Sequence, residues 1–166
     1  MHHGESERRS PRARIATGVV GVLLVNVVGA VPAVLAGPGS AWFDALAKPA
    51  LYPPPWVFGV VWTALFTLMG VAVALVWLAG PDRRAVRVAL TAFAGQMVLN
   101  VAWTPAFFAA ENLLAGLVVI VALWPAVLGT IVAFDRVDRR GALLLVPYLA
   151  WVTFAAVLNY QFIQLN

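Results

Sequence analysis

Cysteine is absent from the 166 residues, which excludes disulfides, thiolate metal sites and cysteine nucleophiles and leaves the redox compartment unread. Histidine occurs only as His2 and His3, in the polar N-terminal segment, so the rest of the chain has no imidazole for metal or acid–base chemistry. Charge is scarce as well. Asp, Glu, Lys and Arg make up 11% of the chain against 63% hydrophobic residues, and mean hydropathy is +0.90. A soluble domain carries about 25% charged residues, so this composition is that of a one-domain integral membrane protein. The net charge of +4 does not read as nucleic-acid binding, because the arginines sit at the ends of apolar runs instead of interleaving with a soluble fold.

What is present is a set of five apolar runs, at about 15–36, 55–79, 86–109, 113–134 and 142–165. At about 1.5 Å per residue each reaches across a hydrocarbon core roughly 30 Å thick. Lipid cannot satisfy backbone N–H and C=O groups and period-2 alternation is missing, so the runs are expected to be helices. The expected fold is an all-α, five-transmembrane-helix bundle over residues 15–166, preceded by a polar tail at 1–14. Residues 1–36 have a second reading as a cleaved signal peptide, with Arg12 and Arg14 ahead of an apolar run and Val34, Leu35 and Ala36 as the cleavage site. Against it, the run exceeds a usual signal core and four more spans follow.

The basic residues divide by side. Arg8, Arg9, Arg12, Arg14, Arg83, Arg84, Arg87, Arg136, Arg139 and Arg140 share one face of such a bundle, and Lys48 stands alone on the other. The positive-inside rule then predicts a cytoplasmic N-terminus. It also places the stretch from Trp42 to Pro55 on the outer face, with the turn near Glu111 and the end of the fifth helix. That connector is rich in aromatics and holds Pro49, Pro53, Pro54 and Pro55; proline fixes φ and removes donors, so the sequence predicts a stiff aromatic cap.

No Asp, Glu, Lys, Arg or His lies deep within a span, which argues against a proton relay or ion-coupled transporter. No metal site, catalytic nucleophile or general base is identifiable. Neutral polar and aromatic residues recur instead at helical spacing: Gln96, Asn100, Trp103 and Phe107 on the third span; Phe58, Trp62, Phe66 and Met69 on the second; Tyr148, Trp151, Ala155, Leu158 and Phe162 on the fifth, with Asn159 beside them. Singly, each reads as a packing or interface residue. As three stripes meeting two carboxamides beneath a rigid cap, they also read as an apolar pocket with a few orienting polar groups. Met69, Met97 and tyrosines such as Tyr148 are the only intramembrane candidates for haem axial ligands, so a macrocycle here would be held by stacking.

Three segments carry a specific resemblance: WFDALAKPALYPPPWVFGVVWTALFTLMG from Trp42, QMVLNVAWTPAFF from Gln96 and VPYLAWVTFAAVLNYQFIQLN from Val146. In that order, over five spans, the chain resembles the translocator protein or tryptophan-rich sensory protein (TspO/MBR) family, whose animal members are the peripheral benzodiazepine receptors. The resemblance implies a commonly dimeric bundle in the cell (inner) membrane that binds porphyrins such as protoporphyrin IX and haem, sterols and benzodiazepine-type ligands, with no obligatory cofactor. By motif position it assigns Trp42 and Lys48 to a lid, Phe58, Trp62 and Phe66 to the second-helix wall, Asn100 and Trp103 to the third, and Trp151, Ala155 and Leu158 to the fifth. Gln96, Phe107 and Tyr148 join them as ligand-binding candidates from the stripes. It also implies that light-dependent porphyrin breakdown, if present, involves Trp42 and Trp151. Receptor or sensor, porphyrin or lipid carrier, and porphyrin-degrading protein are the functions it leaves open. Two departures stand out. Ala50 and Leu51 follow the KP pair where family members often carry aromatics, and the sterol consensus beginning at Leu158 and Tyr160 lacks its basic residue, since Gln161 to Asn166 holds none. Small residues at Ala92, Gly95, Ala122, Ala126 and Thr130 offer close helix contacts, whether within one bundle or between two.

Overall fold

The structure is a computed structural model and describes residues 10–166; His2, His3, Arg8, Arg9 and the rest of segment 1–9 lie outside the described residues. Every regular element among the described residues is helical. Helix α1 spans Pro11–Ala36, α2 Ala41–Ala45, α3 Pro55–Leu78, α4 Arg84–Thr104, α5 Leu113–Asp135, α6 Arg139–Leu144 and α7 Val146–Leu165. Five segments are long and apolar enough to cross a bilayer: α1, α3, α4 with its extension to Ala109, α5, and α6 with α7. The protein is a multi-pass, all-α integral membrane protein.

Local chemistry sets the ends. Ser10 caps α1 by accepting from the Ala13 N–H at 3.3 Å, with Pro11 pre-set for the first turn. The helix therefore takes in Arg12 and Arg14, which hydropathy leaves in the tail. Asn112 caps α5 through the Ala115 N–H at 2.9 Å, and Asp138 caps α6 through the Arg140 N–H at 2.9 Å. Prolines account for the two irregular spans. Pro105 has no N–H to continue α4, and residues Pro105–Ala109 widen into a π-helical turn closed by Ala110 N–H to Pro105 C=O at 2.9 Å. Glu111 then turns the chain with φ 49°. Pro147 likewise cannot donate, and the expected fifth span divides at Leu145 into α6 and α7.

Around the bundle the helices follow the order α1, α3, α6–α7, α5, α4 and back to α1. The α1–α3 contact is a backbone contact: a Cβ placed on Gly70 would meet Val22 and would lie 2.7 Å from the Gly21 carbonyl oxygen, the small-residue packing that membrane helices use where lipid removes the hydrophobic drive. One buried core runs down the bundle through Met69, Val86, Phe134 and Tyr148. A second, formed by Phe43, Phe107, Leu158 and Phe162, closes the end that carries α2. Backbones of α3 and α7 approach each other little, and large side chains span the gap between them.

Candidate functional site

That gap is the candidate site. Phe58 and Trp62 of α3 face Trp151 and Tyr148 of α7, with ring centroids 6.0 Å apart for Phe58–Trp151 and 6.2 Å for Trp62–Tyr148. The π-helical turn aims two successive rings at the same space: Phe107 stacks on Trp103 at 5.2 Å and meets Phe108 edge-on at 4.8 Å. Above the Trp62–Tyr148 contact lies a cavity of about 160 Å³, lined by Phe58, Trp62, Trp103, Phe107, Phe108 and Trp151 and also by Ala33, Pro38, Tyr52, Ala155, Leu158, Asn159 and Phe162.

The α1–α3 connector closes this space from above. Ser40 caps α2 by accepting from the Phe43 N–H at 3.2 Å, and the five-residue helix turns Phe43 inward. The Phe43 ring meets Phe108 at 5.0 Å, Phe162 at 5.9 Å and Tyr52 at 6.1 Å. Lys48 lies on the outer side. Its ammonium donates to the Phe43 carbonyl and, at 3.1 Å, to the Leu46 carbonyl, and it sits 4.1 Å above the Phe43 ring. Farther along, Asn166 ties the connector to the end of α7: its Oδ1 accepts from the Ala47 N–H at 2.8 Å and its Nδ2 donates to the Ala47 carbonyl at 3.2 Å. The Tyr52 hydroxyl is pushed above its ordinary pKa by burial and, secondarily, by the Asp44 carboxylate, so it stays a neutral donor at physiological pH.

The structure gathers part of the expected set. Phe58, Trp62, Trp103, Phe107, Trp151, Ala155 and Leu158 line the cavity. Trp42 does not; it is half-buried and packs edge-on against Phe107 at 5.9 Å. Phe66 lies one turn deeper, stacked on Trp62 at 5.2 Å with its ring against Gly29. Gln96, Asn100 and Tyr148 form a hydrogen-bonded triad away from the cavity lining, with the Tyr148 hydroxyl donating to Gln96 Oε1 at 2.8 Å and accepting from Asn100 Nδ2 at 2.8 Å. Periodicity puts Gln96 and Asn100 on the stripe of Trp103 and Tyr148 on that of Trp151, but the Trp62 ring covers Tyr148 with centroids 6.2 Å apart, and none of the three reaches the lining. Aromatic and carboxamide residues of the lining that were not among the sequence-based ligand candidates include Phe43, Tyr52, Phe108, Asn159 and Phe162. Asn159 and Phe162 extend the α7 stripe and were within reach of periodicity; Phe43 was not, because a five-residue helix has no pattern to read.

Polar capacity in the cavity is small and mostly spent. Asn159 accepts from Trp103 Nε1 at 3.3 Å and donates to the Leu113 carbonyl at 2.9 Å. The buried Trp151 Nε1 has no partner, and Trp62 and Tyr52 bring a further indole N–H and a hydroxyl to the lining, so the cavity holds more than one potential donor. Among the described residues no group of three or more His, Asp or Glu could hold a metal ion. Met69 and Met97 sit in the deep core and Tyr148 is already bonded on both sides, and none of the three lines the cavity.

The TspO/MBR family matches residues 21–165. Its match takes in all the cavity walls. The chain belongs to the TspO/MBR family. It is 46% identical over 129 residues to the tryptophan-rich protein TspO of Chlorobaculum tepidum, an overlap of 78% of this chain and 82% of that one. Against the human translocator protein it is 43% identical over 126 residues, 75% of this chain and 74% of the other. The archaeal tryptophan-rich protein TspO of Archaeoglobus fulgidus is 37% identical over 153 residues, 92% of this chain and 97% of its own. Membership gives this TspO/MBR protein a receptor-like, ligand-binding role in the membrane.

Proposed function

We propose that this TspO/MBR protein is a membrane receptor or sensor that binds porphyrins, protoporphyrin IX and haem among them, and related flat hydrophobic ligands, in the cavity beneath the α1–α3 connector. The observation that carries the proposal is the lining itself: indole and phenyl faces from the connector, α3, the π-helical turn and α7, with the Trp151 N–H unpartnered among them. Flat aromatic guests stack on such walls, and a few polar groups among them orient an acceptor on the ring. Trp62, Trp103 and Trp151 would hold the macrocycle. In this reading Lys48, engaged with Phe43 and Leu46, shapes the connector.

A cavity of about 160 Å³ is smaller than the roughly 300–1,000 Å³ of ligand pockets in general, so binding requires Phe43 and the connector to lift. That displacement is the signal a sensor needs. The arginine distribution supports a cytoplasmic N-terminus, with the connector on the opposite face, and the proposal includes the homodimer implied by resemblance. One observation favours a second reading, light-dependent porphyrin breakdown: three indoles line the space a photosensitiser would fill.

The test is protoporphyrin titration of purified protein, read by tryptophan quenching. Phe58→Ala and Trp62→Ala should each weaken affinity about tenfold while Trp77→Phe, on an outward-facing position, leaves it unchanged; equal losses in all three would reduce the binding to partition into apolar surface. Absorbance lost only in light, and retained by Trp151→Phe, would establish the second reading.

A further inference from the structure

Asn159 is buried, 2% exposed, in a wall of the cavity. A carboxamide in that position costs free energy unless both ends are bonded, and both are: Oδ1 takes the Trp103 indole N–H at 3.3 Å and Nδ2 reaches the Leu113 carbonyl at 2.9 Å. One side chain on α7 thus joins the end of α4 to the first residue of α5. The fit leaves no spare room. A Cβ on Gly116 would stand 2.9 Å from Asn159 Oδ1 and 2.7 Å from the Phe107 ring, so α5 presses the carboxamide and the Trp103–Phe107 stack from behind.

Two consequences follow for the indole. A ring attached through two rotatable bonds is fixed once its N–H is bonded and one face is stacked, and Trp103 has both restraints. Its N–H is also withdrawn from the cavity, so Trp103 presents a stacking face and no donor, unlike Trp62 and Trp151, the other indoles of the lining. We infer that Asn159 is a positioning and specificity-determining residue: it holds Trp103 as a purely apolar platform, so that hydrogen bonding to the guest falls to the other polar groups of the lining. This rests on the ligand-binding reading of the cavity.

The experiment is a double-mutant cycle in the full-length protein. Asn159→Leu and Trp103→Phe, which lacks the N–H, should each weaken protoporphyrin binding about tenfold, the order of one lost hydrogen bond with its geometry. The double variant should be no weaker than the worse single, because both changes break one unit. Additive losses would overturn the inference. Gly116→Ala, which removes no polar group, should give a similar loss, and Gly95→Ala, whose Cβ meets nothing within 4 Å, should give none. A second readout needs no ligand: the ¹H–¹⁵N indole resonance of Trp103, assigned by its disappearance in Trp103→Phe, should shift in Asn159→Leu. An unshifted resonance would refute the positioning role even if wild-type protein failed to bind porphyrin, an outcome that would defeat only the proposed function.

Discussion

Asn166→Ala tests whether the connector opens to admit the ligand. The side chain holds Ala47 by two hydrogen bonds, at 2.8 Å to its N–H and 3.2 Å to its carbonyl. A hydrogen bond contributes about 0.5–1.5 kcal/mol net. Ala47 is exposed, so water replaces the lost partners and the lower end applies to each bond, about 1 kcal/mol for the pair. If the bound form has the connector lifted, those bonds are already broken in the complex, and the substitution destabilises only the closed free protein. The open fraction then rises about fivefold. Stopped-flow quenching by protoporphyrin should show the association rate up by that factor, the dissociation rate unchanged and Kd lower by the same factor. Amide exchange at residues 41–48 should accelerate in parallel. An unchanged association rate alongside faster exchange would mean that the ligand enters by another route and would refute the lifting connector.

Three further outcomes are expected. Tyr148→Phe strands the Gln96 carbonyl and the Asn100 amide, whose Tyr148 bonds are both 2.8 Å, and should cost about 2 kcal/mol in detergent unfolding while leaving porphyrin affinity within twofold, because the triad does not line the cavity; a large affinity loss without destabilisation would place it in the site. Gly70→Ala drives a methyl into the α1 backbone at Val22 and should abolish folded protein in size-exclusion chromatography, whereas Gly95→Ala should elute and melt as wild type. The Asp138 carboxyl is held below its ordinary pKa of 3.8, first by the Arg140 side-chain hydrogen bond. A depressed carboxylate stabilises above the unfolded pKa and loses that contribution as pH falls through the folded value, so the melting temperature should be flat from pH 5 to 8 and decline below about 4, with the decline diminished in Asp138→Asn.

Much of the architecture was legible because hydropathy acts residue by residue. Charges absent from the spans, arginines grouped between them and the Trp42, Gln96 and Val146 motifs fixed the five spans and the family without reference to contacts. The misreadings arose where backbone donors are missing. Pro105 and Pro147 interrupt spans that hydropathy draws as continuous, and the π-helical turn at Pro105–Ala109 brings Phe108 into the lining beside Phe107, which a 3.6-residue stripe separates.

The cavity itself depended on residues far apart in the chain. Periodicity identifies a face on each helix but not the depth at which two faces meet, so Gln96, Asn100 and Tyr148 could not be told from the residues that line the space above them. Nor could it choose between Trp42 and Phe43 on α2, or show that Lys48 binds the connector's own carbonyls. Sequence alone determined that this chain crosses the membrane five times, which end carries the arginines and which aromatic motifs it owns, because transfer into lipid is a local and additive free energy. The tertiary structure decided the enclosed volume, the ring that plugs it and the Asn159 bond that takes up the Trp103 N–H, because those follow from close packing among α3, α4, α5 and α7, whose geometry no single segment contains.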